Sequence, residues 1–397
     1  MNNYKDDFSA YPKNGVYLDS ATVNLVPNSV IWAQSDFNHS LGSTPRKVLY
    51  SRSRKTTELY LETKQALSNK FGLEPENYAF TPNGDYSWNM ILYSLIDYYN
   101  ENGNRLKIVA SIYDHHSLLA PLQYLESMGK IDVNLITEFN LEDNLLDLIN
   151  QNTIVAINHV SPILGKYRDI QSLAKTVHSQ GGYLAVDFSR SSAQFDVDLK
   201  NTDISIIDCS QDLLAPQGIG ILFLQNELIT SLKNAFPGSG GIKSVSKFEI
   251  NQLNSIEKFE VGNVNMGGVS ALNESMSYLD KIGQANIISQ RESLRNYIDK
   301  GFEEIEFLNP IDFDDKISQS SSNIFTFTIE NTTAHDVILL LEEIGKIEVR
   351  SGRLCAHPGL DDLNQEDVIQ ISTHIYNSLE DIDRLFDTIK EIKTIFN

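Results

Sequence analysis

Between residues 107 and 224 the chain alternates short apolar runs with helical stretches, and this alternation constrains the fold more than any other feature. The runs occupy residues 107–111, 153–157, 183–187, 204–207 and 220–224. Each is short and nearly all apolar, as expected of a strand covered on both faces. The stretch 170–179 between two of them has helical spacing and ends at the stop signal Gly181-Gly182. Strand–helix–strand alternation predicts an α/β protein with a mainly parallel sheet covered by helices.

The flanks are read in the same way. Residues 16–19 predict a short strand and residues 57–71 a helix. The glycines around Phe236-Pro237-Gly238 mark a loop, and one long helix is expected over 267–301. Residues 324–328 and 347–350 predict strands, and 334–343 and 379–396 predict helices. The expected organisation is an N-terminal lead-in (1–14) packing near a small C-terminal α/β domain, a large domain (15–265), and the connecting helix with that small domain (266–397).

Composition narrows the function. Hydrophobic residues make up 41% of the 397, enough for a large core and too many for global disorder. A net charge of −21 argues against a nucleic-acid or anionic-membrane partner, either of which would be repelled. Two cysteines cannot form a disulfide scaffold, and neither lies in a zinc-type cluster. The polar start and the lack of a long apolar stretch predict a soluble, cytoplasmic protein.

Several segments, in order, resemble the cysteine desulfurases and their relatives among the class V aminotransferase-fold enzymes that use pyridoxal phosphate (PLP). They are Tyr17-Leu18-Asp19-Ser20-Ala21, Asp114-His115-His116, Asn158-His159-Val160-Ser161 with Leu164-Gly165, and Val186-Asp187. Further along come Pro216-Gln217-Gly218-Ile219-Gly220, Phe259-Glu260-Val261-Gly262-Asn263, Val349 to Ala356, and Tyr376-Asn377-Ser378. The resemblance implies the type I PLP-transferase fold and a homodimer.

It also implies a lysine that forms an imine with PLP, and here that position is Asp212, which has no amine. Other cofactor positions depart too. Cys209 and Gln211 replace a serine and a histidine, and Asp85 stands in the phosphate loop at a helix start, where a carboxylate repels phosphate. Asn263, Arg190 and Gln370 replace a threonine, a ring-contacting glutamine and a substrate-gripping arginine. Asp187, His116, Cys355 and Arg350 stand at positions the family keeps. Asp212, His116 and Cys355 are the candidate catalytic residues, with the others around a ligand pocket.

Two new charges in one cleft suggest that Arg190 pairs with Asp187 or Asp212, either filling the vacated space or building a new ligand site. His116, Asp187, Asp212 and Asp85 form an N/O donor set, but no spacing demands a metal and none is predicted. These readings predict no cofactor, with PLP not covalently bound, and a PLP-independent enzyme acting on a small molecule in the old cleft. The alternatives are a non-catalytic binding protein, or PLP held non-covalently or through Lys243 or Lys247.

Overall fold

The computed structural model describes residues 4–46, 50–137, 145–311 and 321–396. At its centre is a seven-stranded sheet: β1 (Tyr78–Thr81), β2 (Lys107–Ser111), β3 (Asp132–Ile136), β4 (Thr153–Asn158), β5 (Tyr183–Asp187), β6 (Ile204–Asp208) and β7 (Gly220–Leu224). Their order across the sheet is β1-β7-β6-β5-β4-β2-β3. The five strands from β6 to β3 run parallel, whereas β7 is antiparallel to β6 and β1 antiparallel to β7. Strands β4 and β7 are buried at every position, because separate apolar clusters cover the two faces of the sheet. All five apolar runs are therefore strands.

Four helices flank the ends of the sheet that matter below. They are α1 (Ser51–Phe71), α2 (Gly84–Glu101), α3 (His116–Ser127) and α4 (Ile170–Ser179). Helices α2 and α3 begin soon after the C-terminal ends of β1 and β2, so their N-termini face the same edge as Asp187 and Asp208 at the ends of β5 and β6. Asn83 caps α2 by accepting from the Tyr86 N–H, and the His115 ring caps α3 by accepting from the Ser117 N–H.

The expected long helix over 267–301 is two helices, α5 (Met266–Ile282) and α6 (Gln284–Glu304). Gly283 separates them at φ +86°, a backbone conformation that glycine adopts without a Cβ clash. The expected strand over 347–350 also divides. Ile347–Glu348 pairs in parallel with Val16–Tyr17, while Arg350–Gly352 joins a second sheet beside Val368–Ser372. That sheet adds Ile324–Ile329 and Leu308–Pro310, with helices Ala334–Gly345 and Leu379–Phe396 sharing its apolar cluster. The N-terminal residues lie against the last helix, where Lys5 and Tyr11 both bond the Asp381 carboxylate. Among the described residues, no helix is long and apolar enough to cross a membrane.

Candidate functional site

The C-terminal ends of β5 and β6, the starts of α2 and α3, and the loop after Arg350–Gly352 converge on one cleft. Asp187 closes β5 and is buried. Its Oδ2 accepts from Trp88 Nε1 at 3.1 Å and its Oδ1 from the Ser189 N–H at 2.9 Å. Burial pushes this carboxyl up, and bonds from Ser189 and Trp88 and the charge of Arg190 pull against that.

Asp212 is 2% exposed and lies beside a small cavity described below. Its Oδ2 accepts from the backbone N–H groups of Ala193 (2.6 Å) and Gln194 (3.0 Å), and its Oδ1 from Gln194 Nε2 (2.9 Å) and His374 Nε2 (3.2 Å). Burial alone would raise its pKa. The bond and charge of His374 and the donors of residues 193–194 outweigh it, leaving the carboxyl below its ordinary value.

Arg190 does not make the expected pairing. It forms no ion pair with Asp187 or Asp212 among the described residues, because both acids are already held by neutral N–H donors or by His374. Its guanidinium instead feels Asp187, Arg350, Cys355 and Asp208.

Asp208 went unnoticed in the sequence and occupies a telling position. Its Oδ2 accepts from the Gly84 N–H at the start of α2 (3.2 Å), and its Oδ1 accepts from the Ser210 N–H and Oγ. Asp85 lies beside it, with its pKa raised by burial and by Asp208. A helix start that suits an oxyanion is thus taken by the protein's own carboxylate.

The histidine assignment changes as well. His116 turns toward the loop after Arg350–Gly352, with its ring against His357 (centroids 4.5 Å apart, T-shaped) and its Nε2 accepting from the His357 N–H at 3.3 Å. His115 is the ring that feels Arg190 and Arg350, and burial together with those charges drives its pKa down to about 2. Cys355 is exposed at φ +52°, and Arg350 Nη2 approaches its Sγ at 3.3 Å.

The remaining candidates scatter. Cys209 is fully buried with its thiol pKa pushed well up, and the Gln370 amide is bonded to Pro162 O and Thr326 Oγ1. Asn263 lies exposed near Tyr86 and Gly218. Lys243 and Lys247 are exposed in and beside a hairpin, at residues 242–252. Gln211 does line a cavity with Arg190, Gln194, Asp212, Asn323 and Thr373. Its volume is about 20 Å³, room for one or two water molecules. The Gln211 Oε1, Asn323 Oδ1 and Thr373 Oγ1 atoms around it are buried without a partner.

A probable cysteine desulfurase of Pyrococcus abyssi is 28% identical over 387 residues, covering 95% of this chain and 94% of that one. The apo structure of a cysteine desulfurase from Thermococcus onnurineus NA1 superposes with a TM-score of 0.90 at 25% identity, covering 99% and 98% of the two chains. A third structure, TM-score 0.79 at 15% identity over 97% and 98%, is a lysine-to-alanine mutant of C-DES with glycine covalently linked to the PLP cofactor.

These relatives overturn the expectation that no cofactor is involved, because the group they point to is PLP. An imine is one hold on PLP among several, and an amino acid can supply the amine in its place.

The residues present fit PLP unevenly. Asp187 remains in place to meet a ring nitrogen. At the phosphate end, Asp208 takes the α2 N–H and Asp85 adds a second carboxylate. Asp212, for its part, is bonded to the backbone N–H groups of Ala193 and Gln194. The fold and ancestry are nonetheless secure: the aminotransferase class-V family model matches residues 16–385, and this chain belongs to that family.

Proposed function

We propose that this protein is a cysteine desulfurase-like member of the family that has lost lysine-dependent turnover and keeps its cleft for a small ligand. The observation that supports it is Asp212, which stands where the resemblance implies the lysine and is bonded to two backbone N–H groups, the Gln194 amide and His374. A carboxylate forms no imine and cannot shuttle a proton as an amine does. In such a protein PLP, the group to which the relatives point, is left with Asp187 and contacts other than a lysine at 212.

With PLP and cysteine supplied, sulfide and alanine release is expected to stay at the level of a heat-inactivated control. Turnover above that level would overturn the reading. The absorbance band of an imine, bleached by borohydride in the absence of any amino acid, would reveal another lysine in the role.

We also propose that the chain pairs as a homodimer. Support comes from the resemblance and from the apolar side chains exposed on and beside the 242–252 hairpin, where Phe248 is 90% and Val245 67% exposed. Light scattering at micromolar concentration is expected to give twice the chain mass, and a monomer mass would count against this assembly.

A further inference from the structure

Asp208 ends β6 half-buried, with its carboxylate firmly seated. Oδ2 accepts from the Gly84 N–H at 3.2 Å, and Oδ1 accepts from the Ser210 N–H at 3.0 Å and the Ser210 hydroxyl at 2.7 Å. The Asp208 N–H donates to Ser189 Oγ at 2.8 Å, while the Ser189 N–H donates to Asp187 Oδ1 at 2.9 Å. Ser189 thus fixes Asp208 relative to the acid that remains in place to meet a ring nitrogen.

The first N–H groups of α2, an eighteen-residue helix, are donors that an incoming phosphate would use. Here a phosphate meets two carboxylates instead, Asp208 on the Gly84 N–H and Asp85 in the first turn. The charge of Arg190 reaches both of these acids and Asp187 as well, so one cation is shared among three anions. Like charges brought together in a half-buried cleft repel far more than they do in water. An uncharged hydroxyl meets no such cost, because it donates to a carboxylate.

We propose that Asp208 is a specificity-determining residue that competes with a ligand's phosphate for the start of α2, so that phosphorylation adds little affinity to a ring held at Asp187. This deepens the proposed function by stating how the cleft selects its ligand, and it rests on that reading only in taking the cleft to be a ligand site. A phosphate seats on the helix start only when the Asp208 carboxylate gives up its bond to Gly84. PLP therefore gains less here from its phosphate than from its ring.

The test uses pyridoxine and pyridoxine 5′-phosphate, which share a ring and differ only in the ester. Neither carries an aldehyde, so no lysine captures them. Equilibrium dialysis measures both affinities in the wild-type protein, in Asp208→Asn and in Asp208→Ser. The asparagine removes the charge while keeping a carbonyl acceptor, and the serine removes the carboxylate outright. The ratio of ester to alcohol affinity is expected to be near one in the wild type and to rise about tenfold or more in both variants. Pyridoxine affinity itself is expected to change little, since the ring end is held at Asp187.

A wild-type ratio of about tenfold or more, or a ratio that neither variant raises, would overturn the competition. If a variant does not fold, the other decides, and if neither folds the wild-type ratio alone does. Failure of every folded protein to bind either ligand would overturn it as well. These readouts involve no cysteine turnover and no imine, so failure here and failure of the proposed function are distinguishable.

Discussion

Asp212→Ala is expected to destabilise the protein by about 3–5 kcal/mol, the usual cost of removing one partner from a buried charged network. Two backbone N–H groups, the Gln194 amide and the His374 ring all lose their acceptor at once. Asp212→Lys is expected to be worse, because an ammonium has no acceptor and would be buried facing those donors, with Lys70 near enough to feel charge at this position. A lysine placed at 212 is therefore expected to confer no desulfurase activity, with the variant recovered largely unfolded. Urea unfolding followed by fluorescence and circular dichroism measures both variants. A lysine variant as stable as the parent would show that the Asp212 bonds hold nothing together.

The sign of the pH dependence at this site follows from the same contacts. The folded pKa of Asp212 lies below its unfolded value, so its contribution is fully present above the ordinary carboxylate range. It fades as pH falls through the depressed folded value.

The parallel core was legible because strands buried on both faces leave unbroken apolar runs, as in Thr153–Asn158 and Gly220–Leu224. The outermost strands, Tyr78–Thr81 and Asp132–Ile136, carry no such run and went unread. Gly283 is a local stop signal lying inside a stretch whose apolar spacing continues on both sides. The split at 347–352 is set by partners more than three hundred residues upstream and about twenty downstream, which no local pattern reports.

At the site, motif spacing found Asp212 but not the direction of its side chain. That direction depends on the N–H groups of residues 193–194 and on His374, far away in sequence. The Arg190 pairing failed for the same reason: proximity in a motif does not say which groups are already satisfied. Asp208 was within sight, one residue before Cys209, and a carboxylate at a strand end facing a helix start was the signal. His115 and His116 differ by one residue, and only the helix start decides which ring turns into the cleft.

The acid limb of the stability curve is expected to begin near pH 6.5 and to carry a contribution from His159. The ring is 8% exposed and packed among Tyr167, Phe188 and Phe195, and its Nδ1 lies 2.8 Å from Ser191 Oγ. Burial first, and the charge of Arg168 second, drive its pKa down to about 3. An unfolded histidine titrates near 6.5, so between these values the unfolded chain binds a proton that the folded chain does not. Stability from this residue is thus complete above about pH 6.5 and falls by about 1.4 kcal/mol per pH unit below it. His115, depressed to about 2, adds a second term of the same sign.

Buried acids with raised pKa values, Asp114, Asp187 and Glu260, act in the opposite sense, so the wild-type curve alone does not isolate the imidazole. A double difference does. His159→Asn keeps an amide within reach of Ser191 and removes the titrating group. The loss of unfolding free energy between pH 7.5 and 5.5 is expected to be about 1.4 kcal/mol smaller in the variant than in the parent. The acids cancel because they are common to both proteins. Equal losses would mean that His159 is protonated in the fold, which would require an anion or water beside a ring that the structure surrounds with aromatic side chains.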